Sequence, residues 1–68
     1  MTIAHTVARW QQLAERQRAR VERFRADLAP LRAELARAEA EQRHDAALTL
    51  RNRIVYRERV IARWDAQQ

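Results

Sequence analysis

The residues best suited to acid–base or metal chemistry are two histidines, His5 and His44, which lie far apart in the sequence. Neither has a second ligand at the spacing of a metal site. His44 stands beside Asp45 and three residues after Glu41, which makes at most a weak cation site, and a loop-exposed histidine is the simpler interpretation. We therefore expect no metal site.

Nucleophiles and phosphate-binding loops are equally scarce. The chain has no serine, cysteine or glycine, and its three threonines have no base arranged beside them. A glycine-rich phosphate loop cannot form without glycine. We therefore expect a protein that is not an enzyme and that has no cofactor.

Arginine is the one chemically distinctive residue type. All fourteen basic side chains are arginine, and the formal net charge is +5. The planar guanidinium pairs with carboxylate or phosphate, so two basic stretches are candidate contacts to phosphate or to an acidic partner. A solvated, salt-bridged helix surface is the plainer alternative. The candidate contacts are Arg16, Arg18, Arg20, Arg23, Arg25, Arg57, Arg59 and Arg63.

The elements that carry these arginines are indicated by apolar periodicity. One line has alternating spacings of four and three, as in a coiled-coil seam. It comprises Ile3, Val7, Trp10, Ala14, Gln17, Val21, Phe24, Leu28, Leu31, Leu35 and Ala38. A second line, interrupted by Arg57, comprises Ala47, Leu50, Ile54, Ile61 and Trp64. The two lines are five residues out of phase, and the usual coiled-coil insertions of three or four do not repair this.

A chain reversal is the simplest explanation of the phase jump. We predict an all-α fold with a single domain over residues 1–68, an antiparallel helical hairpin. Its first helix covers about 3–40 with a kink at Pro30, its turn about 40–45, and its second helix about 46–66. Thr2 and Asp45 are the expected N-caps. Without glycine and with one proline, more than three-quarters of the chain should be helical.

Two alternative folds stay open. Proline disfavours helix at the preceding residue, so a break at Leu28–Ala29 would give a three-helix bundle. The seam continues across Pro30 undisturbed, which favours one helix. A single straight helix in a dimeric coiled coil is the other alternative, because the turn region lacks glycine.

The two predicted helices are unequal in length. The start of the first helix should therefore extend beyond the second, leaving Ile3, Val7, Trp10 and Leu13 without intramolecular cover. The second helix has an extra stripe with Leu48 and Val55, wider than one partner helix needs. We predict these residues and Trp64 as partner-binding, within a larger helical bundle. Two alternatives require no outside partner. Trp10 and Trp64 could be packing anchors, and the wide apolar face of the second helix could place it at the centre of a small bundle.

The charge distribution should follow the fold. The turn region is rich in carboxylates, and the basic stretches meet at the other end. We therefore expect the hairpin to be acidic at its tip and basic at its open end. No apolar run is long enough for a signal peptide or a membrane span, so the cytoplasm is the expected location.

The segment Leu31–Ile54 resembles the UVR motif, a helical hairpin with spaced leucines and an alanine pair. The matching residues are Leu31, Leu35, Ala38, Asp45, Ala47, Leu50, Arg51 and Ile54. The chain also resembles YscE-type type III secretion co-chaperones, two-helix proteins of similar length, in the run Arg32, Glu34, Leu35, Ala36 and Arg37. Both resemblances imply hairpin geometry and protein binding.

Together these features favour a non-enzymatic protein–protein interaction module. It would be a small helical adaptor or co-chaperone that binds another protein or forms a homo-oligomer through its apolar helix faces. The alternative is a small basic protein associated with nucleic acid, with its arginines on phosphates.

Overall fold

The chain folds as an antiparallel hairpin of two helices. The computed structural model describes the backbone of residues 3–68 and the side chains of residues 6–68. Helix α1 is Ile3–Ala40 with 38 residues, and helix α2 is His44–Ala66 with 23 residues. The predicted all-α hairpin is confirmed, and the single straight helix is wrong. The predicted N-cap Thr2 lies outside the described residues.

Helix α1 runs through its proline without a break. Pro30 lies inside α1 at an exposed position, where its ring and missing N–H disturb the side that faces water. The alternative with a break at Leu28–Ala29 is therefore wrong, and the kink at Pro30 stays a prediction. The molecule measures 58 × 18 × 16 Å, so its length is that of α1.

The turn between the helices is a Schellman motif built without glycine. Gln42 takes the left-handed conformation with φ 59°. Its N–H donates to the Glu39 carbonyl at 3.1 Å, and the N–H of Arg43 donates to the Ala38 carbonyl at 2.9 Å. These bonds satisfy carbonyls at the end of α1 that have no partner within the helix. Because Gln42 has a Cβ, it adopts this conformation at a steric cost that glycine would avoid.

Helix α2 begins earlier than predicted and without a side-chain cap. Arg43 occupies the N-cap position and makes no capping hydrogen bond through its side chain. The prediction of Asp45 as N-cap is wrong, because Asp45 lies within the first turn of α2. There its carboxylate is still favourably placed, since the N-terminus of a helix carries partial positive charge.

The core is one apolar seam between the helices, along the two predicted lines. Its buried side chains are Val21, Leu31, Ala38, Ala47, Leu50, Ile54 and Ile61. Leu28 and Leu35 are half-buried against them. Burial of such aliphatic side chains stabilises the hairpin by about 1.5–3 kcal/mol for each large one.

Ion pairs line one flank of this seam at steps of seven residues. The pairs are Arg25–Asp65, Arg32–Glu58 and Arg51–Glu39, the last two at 2.9 Å. Their side chains are about half exposed, so each pair contributes only about 0.2–1 kcal/mol. Their common spacing shows that the antiparallel register is kept from Arg51 to Asp65 of α2.

The described residues 3–68 contain two helices and no strand. Neither of these helices has a stretch long and apolar enough to cross a membrane.

Candidate interaction surfaces at the open end

The start of α1 carries an apolar stripe that no part of the described chain covers. Val7, Trp10 and Leu13 are all exposed, Trp10 by 67%, and Ala14 is exposed beside them. We call these four residues the overhang stripe. Ile3, predicted as part of the same contact, has a side chain outside the described ones. The structure thus leaves the described members of the predicted overhang exposed.

The overhang stripe differs from the rest of the α1 seam because α2 does not cover it. Val21, two heptads after Val7, is 1% exposed. Helix α2 ends at Ala66, and Trp64 of its last turn and the C-cap residue Gln67 line a groove together with Gln17 of α1. Residues before Gln17 therefore extend past the end of α2. The apolar pattern of α1 continues where its partner helix has stopped.

A groove of about 440 Å³ lies at the junction between α2 and the overhang. We call it the arginine groove. Among the described side chains of residues 6–68, its wall contains three arginines and no carboxylate. The lining residues are Arg20, Arg59 and Arg63, the apolar and aromatic Val21, Tyr56, Val60 and Trp64, and the amides Gln17 and Gln67. The structure thus brings predicted cationic contacts together with Trp64, a predicted partner contact.

The three arginines of the groove differ in their contacts with the rest of the hairpin. Arg20 donates to the hydroxyl of Tyr56 at 2.6 Å, and its guanidinium lies 5.0 Å from the ring centre of Phe24. Arg59 and Arg63 are exposed and make no ion pair with any side chain among residues 6–68. They are one helical turn apart, a spacing at which like charges repel by about 0.2–0.5 kcal/mol. The groove therefore favours an anion.

Below the groove lies a cluster that sequence reasoning missed. Arg57 sits on the α2 line among apolar residues, with a side chain only 18% exposed, and its Nε donates to Asp27 at 3.0 Å. Its guanidinium lies 5.0 Å from the ring centre of Phe24, and Phe24 meets Tyr56 edge to face at 5.9 Å. The only sequence signal was a cation at a seam position. Arg57 is thus held by Asp27 and Phe24, and its contact to phosphate or to an acidic partner stays a prediction.

The other predicted arginine contacts fall into two groups. Arg25 pairs with Asp65 across the hairpin. Arg16, Arg18 and Arg23 are exposed and make no ion pair within residues 6–68. Their contacts to phosphate or to an acidic partner stay predictions.

Helix α2 presents the second predicted stripe to solvent. Leu48 and Val55 are exposed, and Tyr56 is exposed beside Val55. Trp64, by contrast, is half-buried in the arginine groove. Because Leu48 and Val55 are exposed in the closed hairpin, a partner could reach them without opening it.

Among the described residues, no three histidine, cysteine or carboxylate side chains are grouped so that they could hold a metal ion. Comparison with protein-family models, curated proteins and solved structures gives no significant match to this chain. The resemblances to UVR hairpins and to YscE-type co-chaperones therefore stay predictions.

Proposed function

We propose that this chain is a non-enzymatic protein–protein interaction module, a small helical adaptor or co-chaperone that binds a partner helix along its overhang. The observation that carries the proposal is the apolar seam of α1 continuing beyond the end of α2, with Trp10 and Val7 exposed. Covering such side chains is worth about 1.5–3 kcal/mol for each large one. A partner helix laid on this stripe would complete the two-helix arrangement found further along α1.

The exposed stripe of α2 supports the same function. Leu48 and Val55 are seven residues apart on one face and provide a second contact for an assembled bundle. Self-association through either stripe would give the homo-oligomer expected from the sequence. A hairpin of this size has a small core, which makes association a common route to stability.

Site-specific photo-crosslinking in the native host tests this function. A photoreactive amino acid at Leu13 should capture a protein partner, whereas one at Gln12, on a neighbouring exposed position outside the stripe, should not. The captured protein, once purified, should bind this chain directly, and Trp10→Ala should weaken that binding by about tenfold or more. Equal capture at both positions, or binding that ignores Trp10→Ala, would contradict the proposal.

The second candidate function is association with nucleic acid. Exposed Arg16, Arg18, Arg23, Arg59 and Arg63 support it, since none is neutralised by a carboxylate within residues 6–68. Such binding would weaken steeply with salt, because each phosphate contact releases counterions. Titration of a labelled duplex and a single strand at low and high salt is the direct measurement, and binding of neither would exclude this candidate.

A further inference from the structure

We propose that the overhang stripe and the arginine groove together bind one helix of another protein, a helix with an apolar seam and an acidic first turn. This inference rests on the proposed function and names the chemical class of its partner. The surfaces adjoin, because Gln17 lines the groove and Ala14, one turn before it on the same seam, belongs to the overhang stripe.

Charge complementarity argues for the acidic turn. Arg59 and Arg63 repel each other on α2, and Arg20 of α1 lines the same groove. No carboxylate of the described side chains lines it. Carboxylates placed there would form charge-assisted hydrogen bonds with the guanidinium groups. A second groove, near the turn, is less positive, because its lining includes the carboxylate of Glu34 as well as Arg37 and Arg43.

The position of the groove argues for the first turn. A helix that continues the path of α2 along the overhang, antiparallel to α1, starts beside the C-terminus of α2 and therefore beside the groove. Carboxylates in the first turn of a helix also stabilise that helix, because its N-terminus carries partial positive charge. The same acidic residues would thus support the partner's own fold and satisfy the arginines.

A second copy of this chain fits the groove poorly. Residues 1–14 contain no carboxylate, and the first acidic residue of the sequence is Glu15. An overhang from a second copy in this position would bring no negative charge to Arg59 and Arg63. Nucleic acid fits less well too, since phosphates would leave the half-buried apolar side chains of Val60 and Trp64 in the groove without further cover.

Two matched synthetic peptides test the proposal against the full chain. Each is a capped helix of about 20 residues with leucine and alanine at seam positions, a length at which helices are stable enough to compare. One has three glutamates in its first turn and the other has three glutamines. Calorimetry at about 50 mM salt should show the glutamate peptide binding about tenfold more tightly, an advantage that falls as salt rises.

Variants of the chain separate the contribution of the arginine groove from that of the overhang stripe. The double variant Arg59→Gln/Arg63→Gln should abolish the advantage of the glutamate peptide. The control Arg37→Gln/Arg53→Gln, which removes equal charge outside the groove, should retain it. Trp10→Ala should weaken both peptides alike. Far-UV circular dichroism establishes that each variant keeps the hairpin, so a loss of binding is read only from folded protein.

The outcomes separate this inference from the function beneath it. Equal, Trp10-dependent binding of both peptides overturns the acidic turn and leaves the proposed function standing. Binding of neither peptide, or binding unaffected by Trp10→Ala, overturns the inference. A single-stranded DNA oligonucleotide that binds more tightly than the glutamate peptide, through Arg59 and Arg63 but independently of Trp10, also overturns it. So does a dimer in sedimentation that excludes the peptides.

Discussion

The two ends of α1 carry the same apolar pattern and have opposite surroundings. Toward the turn, Leu31 and Ala38 are buried against Ala47 and Ile54 of α2. Toward the start, Trp10 occupies an equivalent seam position and is exposed. The difference lies in the length of the partner helix and not in the pattern itself. A seam pattern therefore identifies the face that packs, whereas only the fold shows whether the chain supplies its own cover.

The largest expected effect is at the covered end. Ile54→Ala removes a buried side chain from the core cluster, and we expect the free energy of unfolding to fall by about 2–5 kcal/mol. Trp10→Ala at the open end should change it by less than about 0.5 kcal/mol. Urea denaturation followed by circular dichroism measures both. Similar losses for the two variants would mean that Trp10 packs within the hairpin.

The cluster of Arg57, Asp27, Phe24 and Tyr56 lies between the two ends and should show an intermediate effect. Arg57→Ala removes the pair with Asp27 and the contact with Phe24, and it should cost about 1–3 kcal/mol of stability. Arg59→Ala, two residues away on the exposed side, should cost less than about 0.5 kcal/mol. The same denaturation experiment compares them. If the two substitutions cost equal amounts, the contacts of Arg57 contribute nothing specific to stability.

The turn offers a stabilising substitution at the closed end. Gln42→Gly relieves the left-handed strain and should raise the free energy of unfolding by about 0.5–1 kcal/mol, after the greater chain entropy of glycine is allowed for. Gln42→Ala is the matched control, since it keeps the Cβ and should bring no such gain. Thermal melts of the unmodified chain and the two variants measure the difference in stability. If alanine stabilises the hairpin as much as glycine does, Gln42 is not strained.

The smallest expected effect belongs to the exposed ion pairs. A double-mutant cycle with Arg51→Gln and Glu39→Gln should give a coupling energy of about 0.2–1 kcal/mol that declines with salt. Urea denaturation of the four proteins of the cycle at about 50 mM and 1 M salt measures this coupling energy and its dependence on salt. A coupling that is insensitive to salt would mean that this pair is better shielded from water than its exposure indicates.

Much of the fold could be predicted from the sequence because it follows from the phase of apolar residues. The jump between Ala38 and Ala47 located the reversal, and the unequal arms located the exposed residues around Trp10. The capping geometry at Gln42 could not be predicted, because glutamine carries no preference for the left-handed conformation. The N-cap prediction failed at Asp45 for the related reason that α2 starts directly after this compact turn.

The arginine groove lay beyond sequence reasoning for a different reason. It depends on which residues of α1 stand beside the C-terminus of α2, and this is set by three-dimensional register. The same holds for Arg57, whose partners Asp27 and Phe24 are distant along the chain. The sequence identifies Arg57 and the groove arginines as cations, but it does not show which residues lie beside them in the fold.

The order of charges on the flank of the seam favours the observed position of the bend. Along α1 the sign changes once, from Arg25 and Arg32 to Glu39, and α2 answers with the opposite signs. Moving the bend by about one turn of helix in either direction would slide the helices by one heptad and set Glu39 against Glu58, or Arg32 against Arg51. In a chain without glycine to fix the turn, this one contact of like charges in each shifted register would weigh against folding back at the wrong place.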